Sequence, residues 1–446
     1  MDLITSAVAA AIAQGAPGAA SEAVALPYQR LKAAIGRLAG ASDVLAAIAS
    51  LEAAPDSQAL RLALSKAVAA AKAPDDMATL FAAQALLEQL REPESAPPPV
   101  APAVVGAESG ALVSNYAVVK VHFATDRQRD LGKPAARRFS GQRSGSGDNG
   151  GISYGHCEIS IPRDHRMGEL ESPSLWRLEF RADPARHVML LSSEVDDAAH
   201  FFAALKDQLQ ASAASSAFIF IHGYNVTFED AARRTGQMAY DLGFAGAPVF
   251  YSWPSQGDVA GYTVDENNIE WSTPHIRAFL ADFLQRTEAK KVYLIGHSMG
   301  NRGLARAAAE LIAAQPALAQ RIAEIILTAP DIDAQVFQQD IAPRLTAAQH
   351  PVTLYASSED LALAASKAVH GYPRAGDSGA GMLIMAGVET IDATGVDTGF
   401  LKHSYFAEQR SALSDMFYLI HNNARADQRF LDPVDTPKGR YWSFRP

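Results

Sequence analysis

The stretch KVYLIGHSMG, ending at Gly300, constrains this chain more than any other. A short apolar run leads into Gly296-His297-Ser298-Met299-Gly300, and the helix-forming NRGLARAAAELIAA follows. Strand, G-x-S-x-G, helix is the setting of a nucleophile elbow, in which a serine sits on a sharp strand-to-helix turn. Such a turn strains the serine, and side chains two positions before and after it are expected to collide with neighbouring backbone. Glycine removes the clash and tolerates unusual dihedrals. The serine Oγ then projects above the sheet, next to a helix N-terminus that stabilises negative charge.

The rest of the chain supplies a frame for that turn. Residues 1–91 are rich in Ala and Leu, and their punctuation at Gly15-Ala16-Pro17, Gly40, Pro55 and Pro74 predicts about five short helices. Asp56 or Ser57 is placed to cap one of them and Asp75 another. The phrases LPYQRLKAAIGRL and PDSQALRLALSKAVAAA resemble small helical modules found before effector domains in bacterial signalling and defence proteins. Residues 92–114 read as a Pro-rich linker. From residue 115 to 446, apolar strands alternate with amphipathic helices. AVVKVHFATDR, YGHCEISIPRD, LWRLEF and HVMLLSS form an early antiparallel set. FIFIHG, VFYSWPS, KVYLIGHS, EIILTAPDID and VTLYASSED follow, with MLIMAG as the last strand and FAEQRSALSDMFYLIHN as the last helix. This alternation predicts an α/β fold, a mainly parallel sheet with helices on both faces, behind a small all-α domain. Chemistry in such sheets collects beyond the carboxyl ends of the strands.

Composition removes several classes of function. A net charge of −10 over 446 residues argues against a nucleic-acid partner, which needs a basic face. No apolar run is long enough for an integral membrane segment. With no Lys or Arg before Arg30, the N-terminus lacks the positive region of a secretory signal, so a cytoplasmic location is expected. The single cysteine, Cys157, cannot form an intrachain disulfide and reads as a small buried hydrophobe. No His/Cys/Asp cluster has metal-ligand spacing, and neither metal nor cofactor is expected.

Ser298 needs a base, and the base needs an orienting acid. In an α/β-hydrolase the chain order is Ser, then Asp or Glu, then His. The histidines after Ser298 are His350, His370, His403 and His421. His350 precedes a strand, His370 lies in the Gly/Pro-rich HGYPRAGDSGAG and His421 in the last helix, which leaves His403 in the loop before that helix. Asp360, after VTLYASS, is the favoured acid, with Asp331 in LTAPDID and Glu359 as alternatives. The oxyanion hole is expected from the backbone N–H groups of Met299 and Tyr224, with Gly223 letting the loop turn and His222 bracing it. Trp253 is a candidate substrate-binding wall or a core tryptophan, and the HGYPRAGDSGAG segment a cap or a plain connection.

FIFIHGYNVTFEDAARRTGQMAYDLG, VFYSWPSQG, YLIGHSMGNRGL, LTAPDID, YASSEDLAL and HSYF together resemble a family of bacterial α/β-hydrolases of unknown function, called esterase/lipase-superfamily enzymes. VHFATDR and YGHCEISIPRDHRMGELE resemble that family's early strands. The resemblance covers about residues 115–425 and implies Ser298 as nucleophile, with support for His403 and Asp360. The resulting expectation is a serine hydrolase cleaving small-molecule or lipid esters through an acyl-enzyme. Amidase, thioesterase or acyltransferase chemistry on the same triad stays open, as does self-association or partner binding through residues 1–91.

Overall fold

The structure, a computed structural model, describes residues 3–13, 22–38, 40–55, 57–71, 115–145, 151–168, 183–212, 215–257, 261–347, 350–358, 371–394 and 412–444, with residues 79, 83, 86, 170, 171, 363 and 366 between them. The chain divides into two compact units, one holding Met1–Ser95 with Asp258–Tyr262 and the other Ala96–Gly257 with Thr263–Pro446.

The first unit contains helices α1 (Leu3–Ala13), α2 (Glu22–Ile35), α3 (Ala41–Ala53) and α4 (Gln58–Ala70). Ser57 caps α4, its hydroxyl accepting from the Leu60 N–H, so one of the two expected caps is seen directly. Asp56 and Asp75 lie outside the described residues. Ile4, Val8, Leu31, Ile35, Ile48, Leu51, Leu64 and Val68 close into a core of the unit's own.

The second unit is built on strands β1 (Tyr116–Thr125), β2 (Arg127–Arg129), β3 (Phe139–Arg143), β4 (Ser153–Pro162), β5 (Met189–Asp196), β6 (Ser216–Ile221), β7 (Ala247–Ser252), β8 (Lys291–His297), β9 (Ile322–Thr328), β10 (Val352–Ala356), β11 (Val388–Asp392), β12 (Leu431–Thr436) and β13 (Gly439–Phe444). All but β2 and β3 form one sheet in the order β12-β13-β11-β10-β9-β8-β6-β7-β1-β4-β5. Pairing is parallel from β13 through to β1 and antiparallel only at the two ends. The strands β6, β7, β9 and β10 are buried along almost their whole length, as expected of strands covered on both faces. The main helices are α5 (Ala198–Ala211), α6 (Phe228–Asp241), α7 (Tyr262–Arg286), α8 (Gly300–Ala314) and α9 (Ala412–Asn422). One face holds Phe218, Phe220, Tyr293 and Ile295 under α6 and α9, while α8 packs against β6 and β8. A Thr227–Asp230 capping box starts α6 directly after the β6 loop. Cys157 is buried and free, and burial pushes its thiol pKa up, so it is an inert core side chain.

Three expectations change. MLIMAG is not a strand: Gly387 takes φ +81° at a turn, and the strand is the following Val388–Asp392. A short apolar run carries no period that separates strand from buried turn. The sheet also continues past α9 into the β12–β13 hairpin, whose alternation of charge with half-buried residues and whose Pro433 mask the strand signal. The β2–β3 ribbon was likewise not expected from the sequence pattern. LWRLEF lies outside the described residues.

Candidate active site

Strand β8 ends at His297, and α8 begins at Gly300, so Ser298 and Met299 make the whole turn. Ser298 takes φ +48°, the left-handed region in which an L side chain is strained. Its N–H donates to the Thr328 carbonyl at 3.0 Å, and its carbonyl accepts from Asn301 N at 3.1 Å and Asp331 N at 3.2 Å. Asn301 adds a bond from Nδ2 to the same Thr328 carbonyl, 2.9 Å away. The strained turn is therefore held from the end of β9 and from the first turn of α8.

The flanking glycines supply space rather than dihedral freedom, since the positive φ belongs to the serine itself. A Cβ at Gly300 would fall on the His222 carbonyl oxygen, as expected of a backbone collision. At Gly296 it would strike the Asn301 side chain and Leu304 instead. Across the gap, a Cβ at Gly223 would lie 2.8 Å from His297 Nδ1 and 3.1 Å from Ser298 Cβ. Only glycine lets the loop after β6 rest directly on the serine.

That loop, residues 222–226, is tied down group by group. His222 Nδ1 lies 2.9 Å from the Gly223 carbonyl, which can only accept, so Nδ1 carries the proton. His222 Nε2 is then an acceptor, 3.0 Å from Ser252 Oγ. Burial first, and the nearby Arg127 charge second, hold the His222 pKa well below its usual value, so the ring is neutral. His297, buried beneath Gly223, is lowered to about 3 by burial and by Arg234. Trp253 stacks on the His222 ring at 5.2 Å and donates from Nε1 to the His222 carbonyl at 2.8 Å. With no exposed surface, Trp253 braces the loop as a core tryptophan, the second of the two readings the sequence leaves open. Tyr224 is buried within this loop and Met299 directly follows the nucleophile, the places from which their N–H groups were expected to act. Arg127 and Asp265, neither singled out in the sequence, reach the same loop from β2 and α7.

Asp331 occupies the other side of the elbow, and its carboxylate accepts from three side chains. Arg302 Nη2 bonds its Oδ2 at 3.0 Å, Arg374 Nε its Oδ1 at 2.7 Å and Ser366 Oγ the same oxygen at 2.5 Å. Burial raises its pKa, but the two guanidinium groups outweigh that and hold it below the ordinary carboxylate value. The residues around Arg374 are pinned to the Asp331 loop by Ala375 N to Ile332 O and Gly376 N to Pro330 O. The described part of HGYPRAGDSGAG is thus a packed connection. His350 precedes β10, and His421 Nε2 donates to the Leu242 carbonyl at the far end of α6, so both lie at the opposite edge of the sheet from Ser298. Glu359, Asp360, His370 and His403 lie outside the described residues. Among the described residues, no group of three or more His, Cys, Asp or Glu side chains is placed to hold a metal ion.

A family model described as an alpha/beta hydrolase of unknown function (DUF900) matches residues 197–421, from the start of α5 to the end of α9. The chain belongs to this family. Its fold is accordingly that of the α/β-hydrolases, with the elbow and the 222–226 loop inside the matched region. A second model, the Het-E N-terminal domain, matches residues 1–119. No curated protein matches the chain. Among solved structures, a Pyrobaculum calidifontis esterase shares 13% identity over 62% of this chain and 83% of its own, with a TM-score of 0.28. Aspergillus fumigatus lipase B shares 12% identity over 88% and 77%, at 0.28. A thermostable esterase from Pseudomonas putida ECU1011 shares 12% over 66% and 78%, at 0.24. At these TM-scores the likenesses carry no argument about activity.

Proposed function

We propose that this α/β-hydrolase is a serine hydrolase acting on carboxylic esters through an acyl-enzyme. Ser298 is the nucleophile, His403 the base that takes its proton and later activates water, and Asp360 the acid that orients His403. The N–H groups of Tyr224 and Met299 receive the oxyanion. The observation that carries this reading is the strained Ser298 backbone at the β8–α8 turn, with the Gly223 loop resting against it. Asp360 follows β10 in the sequence, where the acid is expected, and Asp331, paired with Arg302 and Arg374, is the alternative. A small-molecule or lipid ester is the proposed substrate class, and the lone free cysteine suits a reducing, cytoplasmic setting. The test is hydrolysis of p-nitrophenyl acyl esters, with thioester and amide counterparts beside them. An initial burst of one equivalent, absent in Ser298→Ala, supports the reading. Preference for the amide or thioester would move the substrate class, and hydrolysis untouched by Ser298→Ala would remove the mechanism.

The helical unit supports a second proposal, that residues 1–91 are a self-association or partner-binding module joined by the linker 92–114 to the hydrolase of residues 115–446. Its separate core favours a module of its own. In sedimentation, the full chain is expected to run as an oligomer that a chain starting at residue 96 does not form. Identical monomers would exclude self-association.

A further inference from the structure

Arg127 is 1% exposed, and among the described residues no carboxylate lies within ion-pair distance of it. Burying a guanidinium costs several kcal/mol, offset by the nearby charges of Asp265, Asp126 and Asp230 and by its hydrogen bonds. They run to three segments. Nη2 donates to the Val226 carbonyl at 2.7 Å and approaches His222 Nε2 at 3.5 Å. Nε donates to Ser252 Oγ at 2.8 Å, and Nη1 to the carbonyls of Ser255 at 2.8 Å and Ser140 at 3.2 Å. A guanidinium cannot accept, so these directions are fixed. Ser252 Oγ accepts from Arg127, which leaves its own proton for His222 Nε2, and His222 Nδ1–H is left to hold the Gly223 carbonyl. One cation therefore sets the polarity of the whole chain of bonds beneath the loop.

Asp265 completes the bracket from α7. Its Oδ2 accepts from the Asn225 N–H at 3.4 Å and from Ser255 Oγ at 2.6 Å, and Ser255 Oγ in turn accepts from the Val226 N–H at 3.1 Å. Asn225 takes φ +58°, a conformation that needs such external support. With Trp253 on the His222 carbonyl, His222 O, Asn225 N, Val226 N and Val226 O all have assigned partners on the scaffold, and Gly223 O is held by the His222 ring that the scaffold orients. These bonds fix the peptide planes on either side of Tyr224. An apolar side chain in place of Arg127 would fill the same space without the desolvation cost, but would leave the Val226 and Ser255 carbonyls unpaired and Ser252 free to turn. Packing alone does not explain the cation.

We propose that Arg127, with Asp265 opposite, is a positioning residue that aims the Tyr224 N–H at the oxyanion without touching substrate. This rests on the serine hydrolase reading. A donor that serves the transition state more than the ground state affects turnover rather than binding. The full-length chain is compared with Arg127→Met, Arg127→Lys and Asp265→Asn, after circular dichroism has shown which are folded. The readouts are kcat and KM for a short p-nitrophenyl ester, and affinity for an alkyl boronic acid whose serine adduct places an oxygen in the hole. For Arg127→Met, kcat and boronate affinity are expected to fall together by about 10²-fold, with KM within about twofold. Arg127→Lys keeps the charge but not the fork and should recover little. Asp265→Asn, nearly isosteric, is expected to lose about tenfold in kcat. A folded Arg127→Met with lowered Tm but unchanged kcat and boronate affinity would overturn the proposal. If that variant does not fold, an unchanged kcat in Asp265→Asn would do the same. An unsubstituted chain with no serine-dependent turnover would overturn the hydrolase reading and this inference together, whereas equal turnover in all variants overturns this inference alone.

Discussion

At Ser298 the strain and its support come from different places in the sequence. The motif predicts the strained turn and the need for glycine, but not which atoms the glycines make room for. Gly300 faces the His222 carbonyl, so Gly300→Ala must push the 222–226 loop away from the serine or tilt the start of α8. We expect Gly300→Ala to lose at least about tenfold in ester turnover, with about 1–3 kcal/mol of destabilisation from overpacking. Unchanged turnover would show that the close approach does not matter. His222 as a brace is legible locally, since an imidazole beside a glycine in a post-strand loop has few other uses. Arg127 is not legible, because its contacts with the loop and the end of β7 reach 95 to 128 positions along the chain and nothing near it in sequence points to them. Trp253 is ambiguous for the same reason: only the fold puts its ring under His222.

Among the elements, the parallel strands are legible because burial on both faces leaves mostly apolar runs, as in SAFIFI and IAEIILT, where Glu324 is the one charged residue. Where one face or both meet water the signal weakens, and β12, β13 and the ribbon β2–β3 pass unnoticed. The loop after β4 shows a latch that pattern reading also misses. His165 lies between Glu171, 2.8 Å from Nδ1, and Asp241 near the end of α6, 2.7 Å from Nε2. Burial lowers the His165 pKa, but the two carboxylates outweigh it and raise the value from 6.5 to about 9. A folded pKa above the unfolded one means that the imidazolium contributes stability fully below pH 6.5 and loses it as pH rises through about 9. Tm should therefore decline across that window in the unsubstituted chain. His165→Gln should have a lower Tm at pH 6 and a flatter profile from pH 6.5 to 9. Parallel profiles for the two chains would show that His165 is not the titrating group.

For the molecule as a whole, composition separates an Ala-rich helical segment from an α/β segment; one family model matches residues 1–119 and the other residues 197–421. The charge and hydropathy arguments address partners and membranes, not chemistry: no described helix is long and apolar enough to cross a membrane. Substrate class is not legible, because an elbow and an oxyanion loop serve esters, thioesters and amides alike. The base and acid are proposals; β10 and β11 run parallel to β8, so their carboxyl ends share the sheet edge of Ser298. The most direct test is to label the full-length chain with a fluorophosphonate, digest it and map the modified peptide by mass spectrometry. The adduct is predicted on Ser298, absent in Ser298→Ala and nearly absent in His403→Ala. A folded chain that takes no label, or takes it on another residue, would contradict the assignment of this elbow as the catalytic centre.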